Sequence, residues 1–333
     1  MSGPVRLAIV GAGGIAQTHA LAARRVPEVL PVAVADRDAA AAGALAEQLG
    51  GAGSPVRCTT DPGALADPSL VDLVVLATPP ASHVDLACRF LQAGVAVLCE
   101  KPLALTGLET RRLAASAREG GALLTMASKF RFATDVVRAR GFVASGAIGD
   151  VVRLENAFTA RVDMAGRWNC DPAVSGGGVL IDNGTHSADI ARFLLGPVTE
   201  VLAVEGLRVQ GLPVEDTCVL LFRHAGGSLT SVELSWSTDR MTDRYLALIG
   251  TQGTVEVGWQ ASRIRTVGSP AAVDFGVGWN KLQALRDNLA NVARALRGQE
   301  ELVVSFADAA ASVGVIEAGY RSLRDGGWVS AQD

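Results

Sequence analysis

Two stretches of this chain carry residues whose types and spacing suit proton and hydride chemistry. The first is Glu100-Lys101-Pro102. The chain has only three lysines, Lys101, Lys129 and Lys281, against abundant arginine, so each one merits scrutiny. Lys101 follows an apolar run over 95–99 that reads as a buried strand. A lysine at the carboxyl end of a central strand points into the ligand cleft of an open α/β sheet. The plainer alternative is a loop lysine paired with Glu100. The second stretch is Val179-Leu180-Ile181-Asp182-Asn183-Gly184-Thr185-His186, just after Ser175-Gly176-Gly177-Gly178. A helix from near 184 to 195 puts His186 in its first turn and Asp182 at its start, and a spacing of four brings both to one side. The positive end of a helix favours a neutral, proton-accepting imidazole. A nearby carboxylate orients that ring and stabilises the imidazolium once it forms. A general base for alcohol oxidation needs this arrangement; the alternative is a helix-capping Asp182 beside a passive His186. Cys170, Asp182 and His186 as a zinc set lack any recognised ligand spacing, so no metal is expected.

The elements that must position these residues begin at Val5-Arg6-Leu7-Ala8-Ile9-Val10-Gly11-Ala12-Gly13-Gly14-Ile15-Ala16. It reads as a buried strand, a glycine turn and the start of a helix. Gly11 permits the tight turn, Gly13 lets the backbone approach a pyrophosphate, and Ala16 is small enough for close helix–strand packing. The free N–H groups of the helix then face an anion. A second apolar run, 29–35, ends in Asp36, where the acid that binds an adenosine ribose is expected. A 2′-phosphate beside that carboxylate is repelled by roughly 4 kcal/mol per unit pair at 4 Å and an effective dielectric of 20, which favours NAD over NADP. Arg37 is read as a solvated cation stacking on the adenine, with a hold on a 2′-phosphate as the alternative. Cofactor contacts are expected from Gly11, Ala12, Gly13, Gly14, Ile15, Asp36, Arg37, Thr78, Pro79, Glu100 and Lys101. His83 joins them with two readings open, a nicotinamide contact or a ring held by its own helix end. Ser82 is a candidate cap for that helix. His19, in the first helix, has no role assigned.

At 333 residues the chain is long enough for two domains. A net charge of −4 gives no reason to expect nucleic acid or an anionic membrane as partner. No apolar segment is long enough to span a bilayer, and no signal-type run opens the chain, so a cytoplasmic protein is expected. Five cysteines without a CxxC pair read as reduced thiols. Strand–helix alternation runs to about 127 and predicts a doubly wound Rossmann domain over 1–127. From 128 the pattern changes to longer strands joined by turns, which predicts an α/β domain with an open, mostly antiparallel sheet over 128–333. Its strands are expected near 150–158, 198–207, 217–222, 228–236, 245–249 and 254–259, with helices near 279–297 and 306–324. His224, in the turn 224–227, is expected at the surface.

Gly11-Ala12-Gly13-Gly14-Ile15-Ala16, Glu100-Lys101-Pro102 and the Asp182…His186 pair together resemble the glucose–fructose oxidoreductase/inositol dehydrogenase (Gfo/Idh/MocA) family. The resemblance extends to Gly146-Ala147-Ile148-Gly149 and Asp189-Ile190-Ala191-Arg192, and so covers nearly the whole chain. It implies homodimers or homotetramers formed through the open sheet. It also implies that Lys101 hydrogen-bonds the reacting oxygen, that His186 shuttles the proton and that Asp182 binds substrate and supports the histidine. Substrate contacts are expected from Lys101, Lys129, Trp168, Asp182, Asn183 and His186. The expected activity is NAD-dependent oxidation of a secondary alcohol of an inositol, a sugar or an aminocyclitol-like ring. The alternatives are a keto-sugar reductase of natural-product biosynthesis and a nicotinamide-binding sensor without turnover.

Overall fold

The structure, a computed structural model, describes residues 3–50 and 55–331. It divides into two units, 1–132 with 281–310 and 133–280 with 311–333.

The first unit alternates strands and helices: β1 (Val5–Val10), α1 (Gly14–Ala23), β2 (Val29–Ala35), α2 (Ala39–Leu49), β3 (Arg57–Thr59), β4 (Leu73–Leu76), α3 (His83–Gln92), β5 (Ala96–Cys99), α4 (Gly107–Gly120) and β6 (Leu124–Met126). The six strands pair in parallel in the order β3-β2-β1-β4-β5-β6. That is the order of a doubly wound dinucleotide-binding sheet, with its reversal between β1 and β4. β4 and β5 are buried at every position, which explains their unbroken apolar sequence. Thr106 and Glu109 close a capping box on α4.

The second unit holds α5 (Thr134–Ala144), β7 (Val151–Thr159), α6 (Pro172–Ser175), α7 (Val179–Asp182), α8 (Gly184–Leu195), β8 (Val198–Glu205), β9 (Thr217–His224), β10 (Leu229–Ser235), β11 (Arg244–Gly250), β12 (Gly253–Gly258), β13 (Ser262–Thr266) and β14 (Val273–Gly276). The chain then makes α9 (Lys281–Leu296), α10 (Phe306–Asp325) and β15 (Val329–Ser330). The nine-stranded sheet runs β14-β13-β12-β11-β7-β10-β9-β8-β15, antiparallel except for the parallel β7–β10 pair.

The boundary differs from the expected split at 127/128, because 281–310 returns to the first unit. Leu289, Ala290, Val292 and Ala293 of α9 share a core with Ala16, Ala20 and Ala23 of α1. The small alanines of α1 let a second helix come close. Each fully buried leucine or valine of such a helix contributes about 1.5–3 kcal/mol. Strands β13 and β14, unforeseen in the sequence, are short and mostly exposed or half-buried.

Candidate active site

In the first unit, the glycine turn has the geometry a dinucleotide requires. Gly11 sits at φ +95°, and a Cβ there would lie 2.6 Å from the Ala77 carbonyl oxygen, so only glycine fits. Gly13 and Gly14 are exposed, and a Cβ on either would meet nothing, which leaves open space above the turn. No side chain caps α1 at Gly13, so its first N–H groups are available to an anion. The residues present therefore fit a dinucleotide pyrophosphate. Asp36 is half-buried at the end of β2. Its Oδ2 accepts from Ala12 N at 2.7 Å and its Oδ1 from Asp38 N at 2.9 Å. Each oxygen keeps one lone pair for a ribose hydroxyl. Arg37 beside it is exposed, while Ile15, Thr78 and Pro79 are half-buried.

Lys101, half-buried, is the second residue after β5. Glu100, counted above with the cofactor contacts, has a buried carboxylate that is turned inward. Its Oε1 lies 2.8 Å from His19 Nε2 and its Oε2 accepts from Lys101 N at 3.1 Å. Burial pushes this carboxyl up, but the His19 hydrogen bond and the charges of His19, Lys129 and Lys101 overcome it and hold the pKa at about 2. Both lysines thus act electrostatically on one carboxylate. Lys129 opens a short 3-10 turn, Lys129–Phe132, with its Nζ 5.7 Å from the centre of the Phe130 ring.

Two histidines of this unit are buried and hydrogen-bonded. His83 is fully buried, with Nδ1 2.8 Å from the Pro102 carbonyl oxygen and Nε2 2.8 Å from that of Thr78. Burial lowers its pKa. Each ring nitrogen faces a backbone carbonyl oxygen, and the ring ties the segment after β4 to the turn that follows Lys101. His19 is also buried and is engaged with Glu100 rather than idle. Ser82 forms no helix cap; its hydroxyl donates to the Pro79 carbonyl oxygen at 2.8 Å and lies 2.7 Å from Thr78 Oγ1.

In the second unit, Asp182 is the last residue of α7 and His186 lies in the first turn of α8. Asn183, between them, makes no side-chain cap on α8, and Asp182 and Asn183 are half-buried. The His186 ring is 8% exposed and meets Phe158 edge-on, with centroids 6.3 Å apart. Phe158 stacks on Tyr245 at 5.9 Å, and Tyr245 lies 4.4 Å from Trp259. These three aromatic rings beside the histidine went unrecognised in the sequence. Their signal was scarcity, since aromatic residues make up only 5% of the chain. Trp168 stands 46% exposed on a separate 3-10 turn, Trp168–Cys170.

Glu215 also escaped notice, and it anchors this segment. Its Oε1 accepts from Gly178 N at 2.9 Å, Leu180 N at 3.1 Å and the Tyr320 hydroxyl at 2.8 Å, while its backbone oxygen accepts from Val179 N. The opening N–H groups of α7 are thereby satisfied by one residue. Gly178 permits this approach, because a Cβ there would lie 2.0 Å from the Glu215 carbonyl oxygen. Burial raises the Glu215 pKa against these hydrogen bonds. His224, expected at the surface, is buried at the end of β9, where its ring nitrogens meet the Gly196 carbonyl oxygen at 3.1 Å and Thr230 Oγ1 at 2.8 Å.

Comparison with known proteins agrees with both halves of this description. The model of the oxidoreductase family with an NAD-binding Rossmann fold, GFO/IDH/MocA, matches residues 5–128, and the model of the GFO/IDH/MocA C-terminal domain matches 136–256. The chain belongs to the GFO/IDH/MocA family. It is therefore an oxidoreductase with an NAD-binding domain. Inositol 2-dehydrogenase of Rubrobacter xylanophilus is 29% identical over 330 residues, 97% of this chain and 92% of that protein. D-apiose dehydrogenase of Paraburkholderia graminis is 27% identical over 341 residues, 96% of this chain and 88% of that one. The crystal structure of GenD2 from gentamicin A biosynthesis in complex with NAD superposes with a TM-score of 0.83 at 32% identity, covering 99% of this chain and 97% of that chain. Among the described residues, no helix of this family member is long and apolar enough to cross a membrane.

Proposed function

We propose that this GFO/IDH/MocA chain is an NAD-dependent dehydrogenase that oxidises a secondary alcohol of a cyclic polyol, whether a sugar, an inositol or an aminocyclitol ring, to the ketone. The observation that carries the reading is His186, a largely buried imidazole in the first turn of α8, just beyond Asp182 and against the Phe158 ring. Its ring nitrogen takes the hydroxyl proton as the carbon–oxygen double bond forms, and Asp182 orients it and binds substrate. Lys101 holds the reacting oxygen and stabilises its developing negative charge. NAD, when bound, supplies the acceptor for the hydride that leaves the carbinol carbon. Lys129, Trp168 and Asn183 contribute substrate contacts, and Asp36 selects NAD over NADP. Relatives named for a sugar and for inositol support the substrate class.

The same proposal includes a cytoplasmic homo-oligomer joined through the open sheet. Val204, Val219 and Leu229 are exposed there, on the face opposite the buried Val232 and Leu234. The test is NADH formation by purified protein across inositol isomers, simple sugars and aminocyclitol glycosides, with NADP in parallel. Turnover with NAD on one ring class supports the reading. Tight NAD binding without turnover on any ring, in either direction, refutes it.

A further inference from the structure

We propose that His19 is a positioning residue: from α1 it holds the Glu100 carboxylate, and that carboxylate holds the backbone of Lys101. The proposal rests on the reading of Lys101 as the group that steadies the reacting oxygen, and it adds a device that orients it.

His19 is 1% exposed in a helix whose other buried residues, Ala16, Ala20, Ala22 and Ala23, are all alanines. A polar ring placed there is costly unless it is hydrogen-bonded. Its Nε2 faces Glu100 Oε1 at 2.8 Å. An ionised carboxylate only accepts, so the ring donates. Its Nδ1 has no hydrogen-bond partner among the described residues, so Glu100 is the contact that accounts for the ring's place. The other carboxylate oxygen accepts from Lys101 N at 3.1 Å. Glu100 N still donates to the Leu76 carbonyl of the neighbouring strand. Lys101 is the second residue past β5, and its amide N–H donates to a side chain instead. A buried polar pair of this kind adds little stability over an apolar pair of similar volume. What it supplies is direction. The helix that opens at the glycine turn and the turn that bears Lys101 are joined by two hydrogen bonds through one carboxylate.

Three variants separate positioning from bulk. His19→Gln can place an N–H near the position of Nε2. His19→Asn is polar but too short to reach Glu100, and His19→Leu removes the donor while keeping much of the volume. Each is compared with the wild-type chain for kcat, NAD dissociation constant and hydrogen exchange of the Lys101 amide, alone and combined with Lys101→Met. We expect His19→Leu and His19→Asn to lower kcat about 10- to 100-fold, the scale of a small misplacement of a catalytic group. NAD affinity should stay within about threefold, and His19→Gln should recover most of kcat on the same scale. In the Lys101→Met background the same changes should cost under about twofold, as expected when one residue acts through another. The Lys101 amide should exchange at least about tenfold faster in His19→Leu and His19→Asn, while the amides of β5 keep their protection. An equal loss of kcat with and without Lys101, or Gln no better than Asn, overturns the proposal, as does unchanged exchange at Lys101. Should His19→Leu fail to fold, the Gln and Asn pair decides. Should Lys101→Met match the wild type, the reading of Lys101 falls, and the exchange experiment still decides whether His19 holds that backbone.

Discussion

Replacing Glu215 by alanine removes the oxygen that three donors share: Gly178 N, Leu180 N and the Tyr320 hydroxyl. Glu215 is 5% exposed, so water does not readily replace it. At about 1 kcal/mol for each buried donor left unpaired, the low end of the usual range, the loss is roughly 3 kcal/mol. Set against a typical stability of about 5–15 kcal/mol, this is a large fraction. At about 2–4 °C per kcal/mol, the melting temperature should fall by roughly 6–12 °C. Because α7 ends at Asp182, the folded Glu215→Ala protein should also lose about tenfold in kcat, within the scale of a small geometric displacement. Glu215→Gln keeps an accepting oxygen and sheds a charge that burial disfavours, so it should melt within about 2 °C of the wild type. The folded-state pKa of Glu215 is raised, so its favourable contribution is complete below the ordinary carboxyl range and is lost as pH rises through the folded value. The Gln variant should therefore gain on the wild type with rising pH. Differential scanning fluorimetry over a pH series that begins below the ordinary carboxyl range measures both effects. An alanine variant that melts with the wild type, or a Gln variant as damaged as alanine, would refute this account of the segment.

The Glu100 carboxyl is held at about 2, below the ordinary 4.5. That gap corresponds to roughly 3 kcal/mol of stability, present above the ordinary value and lost as pH falls toward the folded one; urea unfolding at pH 7 and about pH 3 should show Glu100→Gln losing less than the wild type between the two. Asp36→Asn keeps an oxygen for the Ala12 or Asp38 amide but removes the charge, and calorimetry should show NADP binding at least about tenfold tighter and NAD weaker. Gly178→Ala drives a Cβ to 2.0 Å from the Glu215 carbonyl oxygen, and its melting temperature should fall at least as far as that of Glu215→Ala.

Much of the fold was legible because it is written in local pattern. Unbroken apolar runs marked the parallel strands, the glycine turn marked the start of α1, and Thr106 with Glu109 marked α4. The return of 281–310 to the first unit was not legible, since an amphipathic helix declares that it has a buried face and not which core covers it. The same limit applies to the site. Lys101, Asp182 and His186 stood out by residue type and spacing. His19 and Glu100 are 81 positions apart, and Glu215 and Tyr320 are 105 apart, so nothing in the sequence joined either pair. His224 was misjudged, and His83 left with two readings, for a related reason: their ring nitrogens meet partners that only the folded chain brings within reach.

The central claim is that Lys101 and His186 carry the chemistry while the glycine turn and Asp36 carry the cofactor. The most direct test measures steady-state NADH formation and NAD affinity together for the wild type, Lys101→Met and His186→Asn. The account predicts that each variant loses at least about 100-fold in kcat, as removal of a general base or a charge stabiliser does, with NAD affinity within about threefold of the wild type. Either variant turning over at the wild-type rate with NAD binding intact would contradict it.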